Sequence, residues 1–196
     1  MKIVIFCGGL ATRFNNGKPG PLKPLIKVNN KPILEHVMDR YQSLKNPEFI
    51  LLGGYKFKEL EKFKKKISKK FNNVEAINTG KFTNTAGRLL KIKQYLGKEF
   101  FCLTYGDTIT DYNPKYLTKK VNKNSIISLH KYKIPYGVIE KNKIVTKMVE
   151  KKFYIFVNAG HYYLDPLILN YIKSNNQSFE KDILPKLIKR KIFKFN

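Results

Sequence analysis

From Cys7 to Leu25 the chain places a glycine pair, an arginine and a lysine ahead of Pro24, in an order that suits chemistry on a polyphosphate. Gly8 and Gly9 close an apolar run and let backbone N–H groups come near phosphate oxygens. Arg13 and Lys23 bring cations to where negative charge would build on phosphorus and on a departing pyrophosphate. Farther along, Tyr105-Gly106-Asp107 sets a carboxylate directly behind the apolar run Phe101 to Thr104. A hard carboxylate there can hold Mg²⁺ against phosphate oxygens. A third candidate runs from Thr79 to Arg88 into a helical pattern, where Thr85, Gly87 and Arg88 would let a ring or phosphate approach free N–H donors. Taken singly, each has a plainer explanation: glycines can simply end strands, an aspartate can cap a turn, and one arginine among 39 Lys+Arg residues is ordinarily a solvated charge.

Elements that could position these groups alternate along the chain. Ile3 to Phe6 is continuously apolar, as expected of a strand buried on both faces of a parallel sheet. Pro32 to Leu44 reads as a helix with Asn30 as its cap and Ile33, Val37, Met38 and Tyr41 along one face. Phe49 to Leu52 reads as a strand. Phe57, Leu60, Phe63, Ile67 and Phe71 recur at helical spacing through a lysine-rich segment. Val74 to Ile77 then reads as strand, Ala86 to Leu96 as helix and Phe100 to Thr104 as strand. This alternation favours a parallel sheet covered by helices. The second half changes to short strands over Ser125 to Tyr132, Tyr136 to Glu140 and Lys143 to Val149, turning near Lys141-Asn142, so a β-hairpin is appended. Phe153 to Leu164 reads as strand, with helices after Asp165-Pro166 and over Glu180 to Lys189. No repeat or linker divides residues 1–196, which are expected to form one domain.

The ordered string Gly8-Gly9-Leu10-Ala11-Thr12-Arg13, then Lys23-Pro24-Leu25 and Asn30-Lys31-Pro32-Ile33-Leu34, resembles the N-terminal signature of the sugar-1-phosphate nucleotidyltransferases. Ala11 stands where that family has glycine. Thr79 to Arg88, together with Phe101 to Asp107, is similar to the cytidylyltransferase branch, the glucose-1-phosphate cytidylyltransferases above all, with Ala86 again replacing a glycine. The resemblance implies a Rossmann-like α/β nucleotidyltransferase fold whose mostly parallel central sheet is flanked by helices. It implies nucleotide binding by Gly8, Gly9, Leu10, Thr12, Arg13, Lys23, Thr85, Gly87 and Arg88, and catalysis by Arg13, Lys23 and Asp107, with Mg²⁺ on Asp107. Tyr136 to Ile139, Val149 to Lys151 and Val157 to Gly160 are similar to the family's acceptor pocket, implying sugar 1-phosphate binding by Gly137, Glu150, Lys151 and Asn158. The implied reaction moves a nucleoside monophosphate from a triphosphate, CTP before others, to a sugar 1-phosphate. The attacking phosphate is already anionic, so no positioned base is required. The family carries a second metal-binding aspartate beyond a strand like Lys191 to Phe195. The later aspartates here, Asp165 and Asp182, read as helix-start residues. A catalytically impaired, nucleotide-binding partner subunit is therefore the second reading.

Composition narrows the alternatives. A 42% hydrophobic content with 14 Phe and 12 Tyr suits a folded globule. No apolar stretch reaches bilayer length and the N-terminus enters a strand directly, so no membrane partner and a cytoplasmic location are expected. Cys7 and Cys102 read as buried free thiols, and with His36, His130 and His161 they lack metal-ligand spacing. The net charge of +25 raises a nucleic-acid partner. The lysines are spread over almost every segment, however, and the dense run Lys62 to Lys70 fits the wet face of a helix better, leaving attraction of anionic substrates as the charge's expected role. A homo-oligomer stays open.

Overall fold

The computed structural model describes residues 1–12, 15–119, 124–141, 145–150 and 153–195. In chain order the elements begin with β1 (Lys2–Phe6), the ribbon β2 (Lys27–Val28) and β3 (Lys31–Pro32), then α1 (Ile33–Tyr41) and β4 (Glu48–Gly53). There follow α2 (Phe57–Ile67), β5 (Val74–Asn78), α3 (Thr85–Lys91), α4 (Lys93–Leu96), β6 (Phe101–Tyr105) and α5 (Lys115–Lys119). The second half holds β7 (Ser125–Lys133), β8 (Val138–Lys141), β9 (Val145–Val149), β10 (Tyr154–Leu164), a 3₁₀ turn (Pro166–Tyr171), a π-helical turn (Phe179–Ile183), α6 (Leu184–Lys189) and β11 (Phe193–Phe195).

One seven-stranded sheet runs in the order β11-β7-β10-β6-β1-β4-β5. β1 pairs in parallel with β4 and β6, as β4 does with β5 and β11 with β7, while β10 is antiparallel to both neighbours. The sheet is thus mostly parallel, and β8–β9 stands apart as the appended hairpin. Ile3, Val4 and Ile5 have no exposed surface. Alternate residues of β1 explain why: Ile3 and Ile5 pack under α1 and α2, Val4 and Phe6 under α3, α4 and the C-terminal turns. Leu60, Phe63 and Ile67 of α2 are buried, each worth about 1.5–3 kcal/mol of transfer free energy. The helix's lysines face water, and Lys64 pairs with Glu75 at 2.8 Å.

Two boundaries differ from the sequence reading. Asn29 and Asn30 take left-handed backbone (φ 50° and 61°) to close the β2–β3 ribbon, so Pro32, with its fixed φ, replaces Asn30 at the start of α1. The helix expected over Ala86 to Leu96 breaks at Ile92 (φ −106°, ψ 10°), which keeps Leu89, Ile92 and Leu96 all fully buried. The expected turn at Lys141-Asn142 lies at the edge of the described residues. Among the described residues no helix is long and apolar enough to cross a membrane.

Candidate active site

The carboxyl ends of β1, β5, β6 and the middle of β10 open into one cleft of about 990 Å³. Ligands of open α/β sheets sit at such strand ends. Gly8, Gly9, Leu10 and Thr12 form one wall with Lys23, and Asp107 lies on the floor. Thr85 and Arg88 line the side nearest β5, and Asn158 the side nearest the antiparallel strands. Segments distant in sequence therefore converge as the motif order implies. Arg13 and Lys151 lie outside the described residues.

The side chains differ from expectation in what they do. Arg88 is only 4% exposed. Its Nη2 donates to the Gly8 carbonyl at 2.7 Å, and its Nη1 donates to the Gly53 carbonyl at 2.7 Å and to Thr79 Oγ1. Burial draws its pKa down, but the guanidinium stays charged because its neutral form lies far from any ordinary pH. A Cβ on Gly8 would overlap this guanidinium, so Gly8 is glycine to admit Arg88, and Gly9, with open space around its Cβ position, is the one facing the cleft. Arg88, expected at a phosphate, spends its donors on the Gly8 carbonyl, on the Gly53 carbonyl that Thr79 also reaches, and on the Thr79 hydroxyl.

Gly87 does not line the cleft. It is buried, and a side chain there would run into the Asn175 backbone, so the missing side chain serves packing. Ala86 is fully buried in the core beside it. Gly137 and Glu150 likewise lie off the cleft. They face one another across the β8–β9 hairpin, where a Cβ on Gly137 would come 2.7 Å from Glu150 Oε2, and among the described residues expected at the acceptor, Asn158 lines the cleft.

Thr85 lines the cleft with its hydroxyl already engaged: Oγ1 donates to Glu180 Oε2 at 2.8 Å and accepts from the Phe179 N–H at 2.8 Å. Glu180, which the sequence reading did not single out, also accepts from Ser178 Oγ at 2.7 Å and from the Tyr105 hydroxyl. Burial alone would raise the Glu180 pKa, but the donated hydrogen bonds of Tyr105 and Ser178 outweigh it and hold the carboxyl below its ordinary value. The sequence hid this residue behind a helix start: Ser178 Oγ accepts from the Lys181 N–H, and Asp182 accepts from the Ser178 N–H at 2.6 Å. Asp165 caps the 3₁₀ turn by accepting from the Leu167 N–H at 2.8 Å, so both late aspartates are helix-start residues as read. Lys81, within the Thr79 to Arg88 segment, and Lys181, which no motif signalled, add cations to the cleft.

Asp107 is exposed to the cleft, one residue beyond Gly106. Among the described residues no group of three or more His, Cys, Asp or Glu side chains is gathered for a metal. Cys7 and Cys102 are free and buried. Burial pushes the Cys7 thiol well up, with the Asp107 charge adding to it, so Cys7 is inert floor beneath the cleft. His161 is buried between Tyr41 at 2.8 Å, Thr104 at 3.2 Å and Thr110 at 2.9 Å.

The nucleotidyl transferase family profile matches residues 2–194. A probable glucose-1-phosphate cytidylyltransferase of Bacillus subtilis is 31% identical over 96% of this chain and 85% of its own length. A mannose-1-phosphate guanyltransferase of Hypocrea jecorina is 29% identical over 96% of this chain and 56% of its own length. Among solved structures, a candidate glucose-1-phosphate thymidylyltransferase of Bacillus anthracis, crystallised with a sucrose, superposes with a TM-score of 0.79 at 18% identity, covering all of this chain and 86% of that one. With β1, its glycine loop, Lys23 and Asp107 brought to one cleft, and with the profile spanning nearly every residue, the chain belongs to the nucleotidyl transferase family.

Proposed function

We propose that the protein transfers a nucleoside monophosphate, CMP from CTP by preference, to a sugar 1-phosphate and releases pyrophosphate. The observation that carries the reading is the meeting of Gly9, Lys23 and Asp107 on one cleft at the ends of β1 and β6. A phosphate oxygen of the sugar 1-phosphate attacks the α-phosphorus in line, and the bond to the pyrophosphate oxygen breaks. Alignment and charge do the work. The loop from Gly9 to Thr12 offers N–H donors to the triphosphate, Lys23 neutralises charge on the leaving pyrophosphate, and Arg13 is assigned the same task. Asn158 meets the sugar hydroxyls, and Lys151 is assigned to the sugar phosphate. Gly137 and Glu150 would join the acceptor only if the hairpin closes over it.

Asp107 fits Mg²⁺, which takes one or two carboxylates and completes its octahedron with substrate phosphates and water. When bound, that ion would screen the phosphate charges against one another. Preference for CTP rests on the likeness of Thr79 to Arg88 to the cytidylyl branch and on the name of the Bacillus subtilis relative. The reading takes residues 1–196 as one domain acting in the cytoplasm.

The test is pyrophosphate release with Mg²⁺, each of four nucleoside triphosphates and a panel of sugar 1-phosphates. Release with CTP that is lost in Lys23→Ala is the expected result. Release with GTP alone would overturn the base preference, and no release with any pair, despite saturable CTP binding, would favour the impaired partner subunit.

A further inference from the structure

Four polar side chains join in a line, three of them lining the cleft and Tyr162 buried behind it, from the π-helical turn through β6 to the bulge in β10. Tyr105 donates to Glu180 Oε1. The Tyr105 and Tyr162 hydroxyls meet at 3.5 Å, the longest link. Asn158 Nδ2 donates to the Tyr162 hydroxyl at 2.5 Å, and Asn158 Oδ1 accepts from the Gly160 N–H at 2.9 Å. An ionised carboxylate accepts only. Tyr105 must therefore give its proton to Glu180, which leaves its oxygen to accept from Tyr162. Tyr162 in turn has only its oxygen left for Asn158, so the amide nitrogen has to face it. The Gly160 N–H, at the other end, demands the same amide orientation. One N–H and one oxygen lone pair of Asn158 then remain for the cleft, in a single arrangement.

Packing supports the line. Asn158 pairs with Leu129 and Tyr162 with Ile127, so the bulge inserts extra residues between them. Gly160 turns there with φ 76°, and a Cβ on it would lie 3.0 Å from the Tyr105 ring. Tyr162 is fully buried, so its hydroxyl cannot turn to water for a substitute partner.

We propose that Glu180, acting through Tyr105 and Tyr162, is a positioning residue that sets which donor and which acceptor Asn158 presents to the sugar 1-phosphate. The proposal rests on the function proposed above. A glutamine at position 180 keeps the volume but can turn its amide, so the line gains a competing direction in which the Tyr162 proton points at the Asn158 amide nitrogen. Asn158 is then held less well, and the acceptor loses about one hydrogen bond, roughly a tenfold loss of affinity.

The experiment compares wild type, Glu180→Gln, Tyr162→Phe and the double variant, each with Mg²⁺ and nucleoside triphosphate, using glucose 1-phosphate and mannose 1-phosphate as probes. Each single variant should raise KM for the sugar 1-phosphate about tenfold and leave KM for the triphosphate within about twofold. The double variant should match the singles, because Glu180 has no route to Asn158 once the Tyr162 hydroxyl is gone. Additive effects, an equal rise in both KM values, or a lowered melting temperature with KM unchanged would each overturn it. Should Glu180→Gln fail to fold, Tyr105→Phe replaces it in the same cycle. Wild type that neither binds nor turns over any sugar 1-phosphate would remove the proposed function and this inference together, whereas a working wild type with insensitive variants removes the inference alone.

Discussion

Two ionic hubs flank the cleft, Arg88 buried and Glu180 half-buried, and they organise different things. Arg88, on the parallel side, donates to the carbonyls of Gly8 and Gly53 and to Thr79. It ties together the ends of three adjacent parallel strands, β1, β4 and β5, partnering the Gly8 carbonyl and joining Thr79 at the Gly53 carbonyl. Glu180, toward the antiparallel side, accepts from the hydroxyls of Tyr105, Ser178 and Thr85. The cation serves two main-chain carbonyls and one hydroxyl, whereas the anion serves hydroxyls. Main-chain partners cannot be rearranged by a substitution, whereas hydroxyls can rotate to new ones, so the first hub should govern stability and the second should tune the site.

The sharpest way to break this contrast is Arg88→Met. It orphans the buried Gly8 carbonyl and leaves the Gly53 carbonyl to Thr79 alone, so a loss of about 1–3 kcal/mol is expected, read as a lowered urea midpoint. Glu180→Gln should cost well under half of that, and equal losses would erase the distinction. Next comes Lys23→Ala, which belongs to neither hub. It should lower kcat by about 10²- to 10³-fold, like other lost charge-stabilising contacts, with the urea midpoint unmoved. A shifted midpoint would make Lys23 part of the scaffold.

His161 probes the bulge from the face opposite Tyr162. Burial, with help from Arg40, lowers its pKa to about 4, against about 6.5 in an unfolded chain. The unfolded state therefore binds the extra proton first, and stability falls as pH drops from about 6.5 toward 4, by about 3 kcal/mol in all. His161→Gln should flatten that part of the profile, and an unchanged slope would assign it to carboxylates instead. The smallest effect concerns Ala11, which holds φ 56° in the glycine loop. Ala11→Gly should raise stability by up to about 1 kcal/mol, since the left-handed backbone strains an L side chain. A loss would mean that the methyl packs in the cleft wall.

Much of the scaffold was legible. The unbroken apolar run of β1 marked a strand covered on both faces, and the spacing of Leu60, Phe63 and Ile67 separated core from lysine in α2. Asn158, expected at the acceptor, does line the cleft. Gly87 was ambiguous, because a glycine that admits the Asn175 backbone looks in sequence like one that admits a ligand. Glu150 and Gly137 were ambiguous for a related reason: their order along the chain matches an acceptor pocket, while the hairpin sets them beside each other.

What the sequence determined by itself was the class of chemistry and the order of elements, since apolar periodicity and the glycine, lysine and aspartate motifs are local properties of the chain. Only the tertiary structure decided what each polar side chain is for. The guanidinium of Arg88 and the carboxylate of Glu180 find their partners 80 and 75 residues away, at Gly8 and Tyr105. No local pattern records such a meeting, because a buried charge is drawn to whichever unpaired groups the packed strands leave beside it.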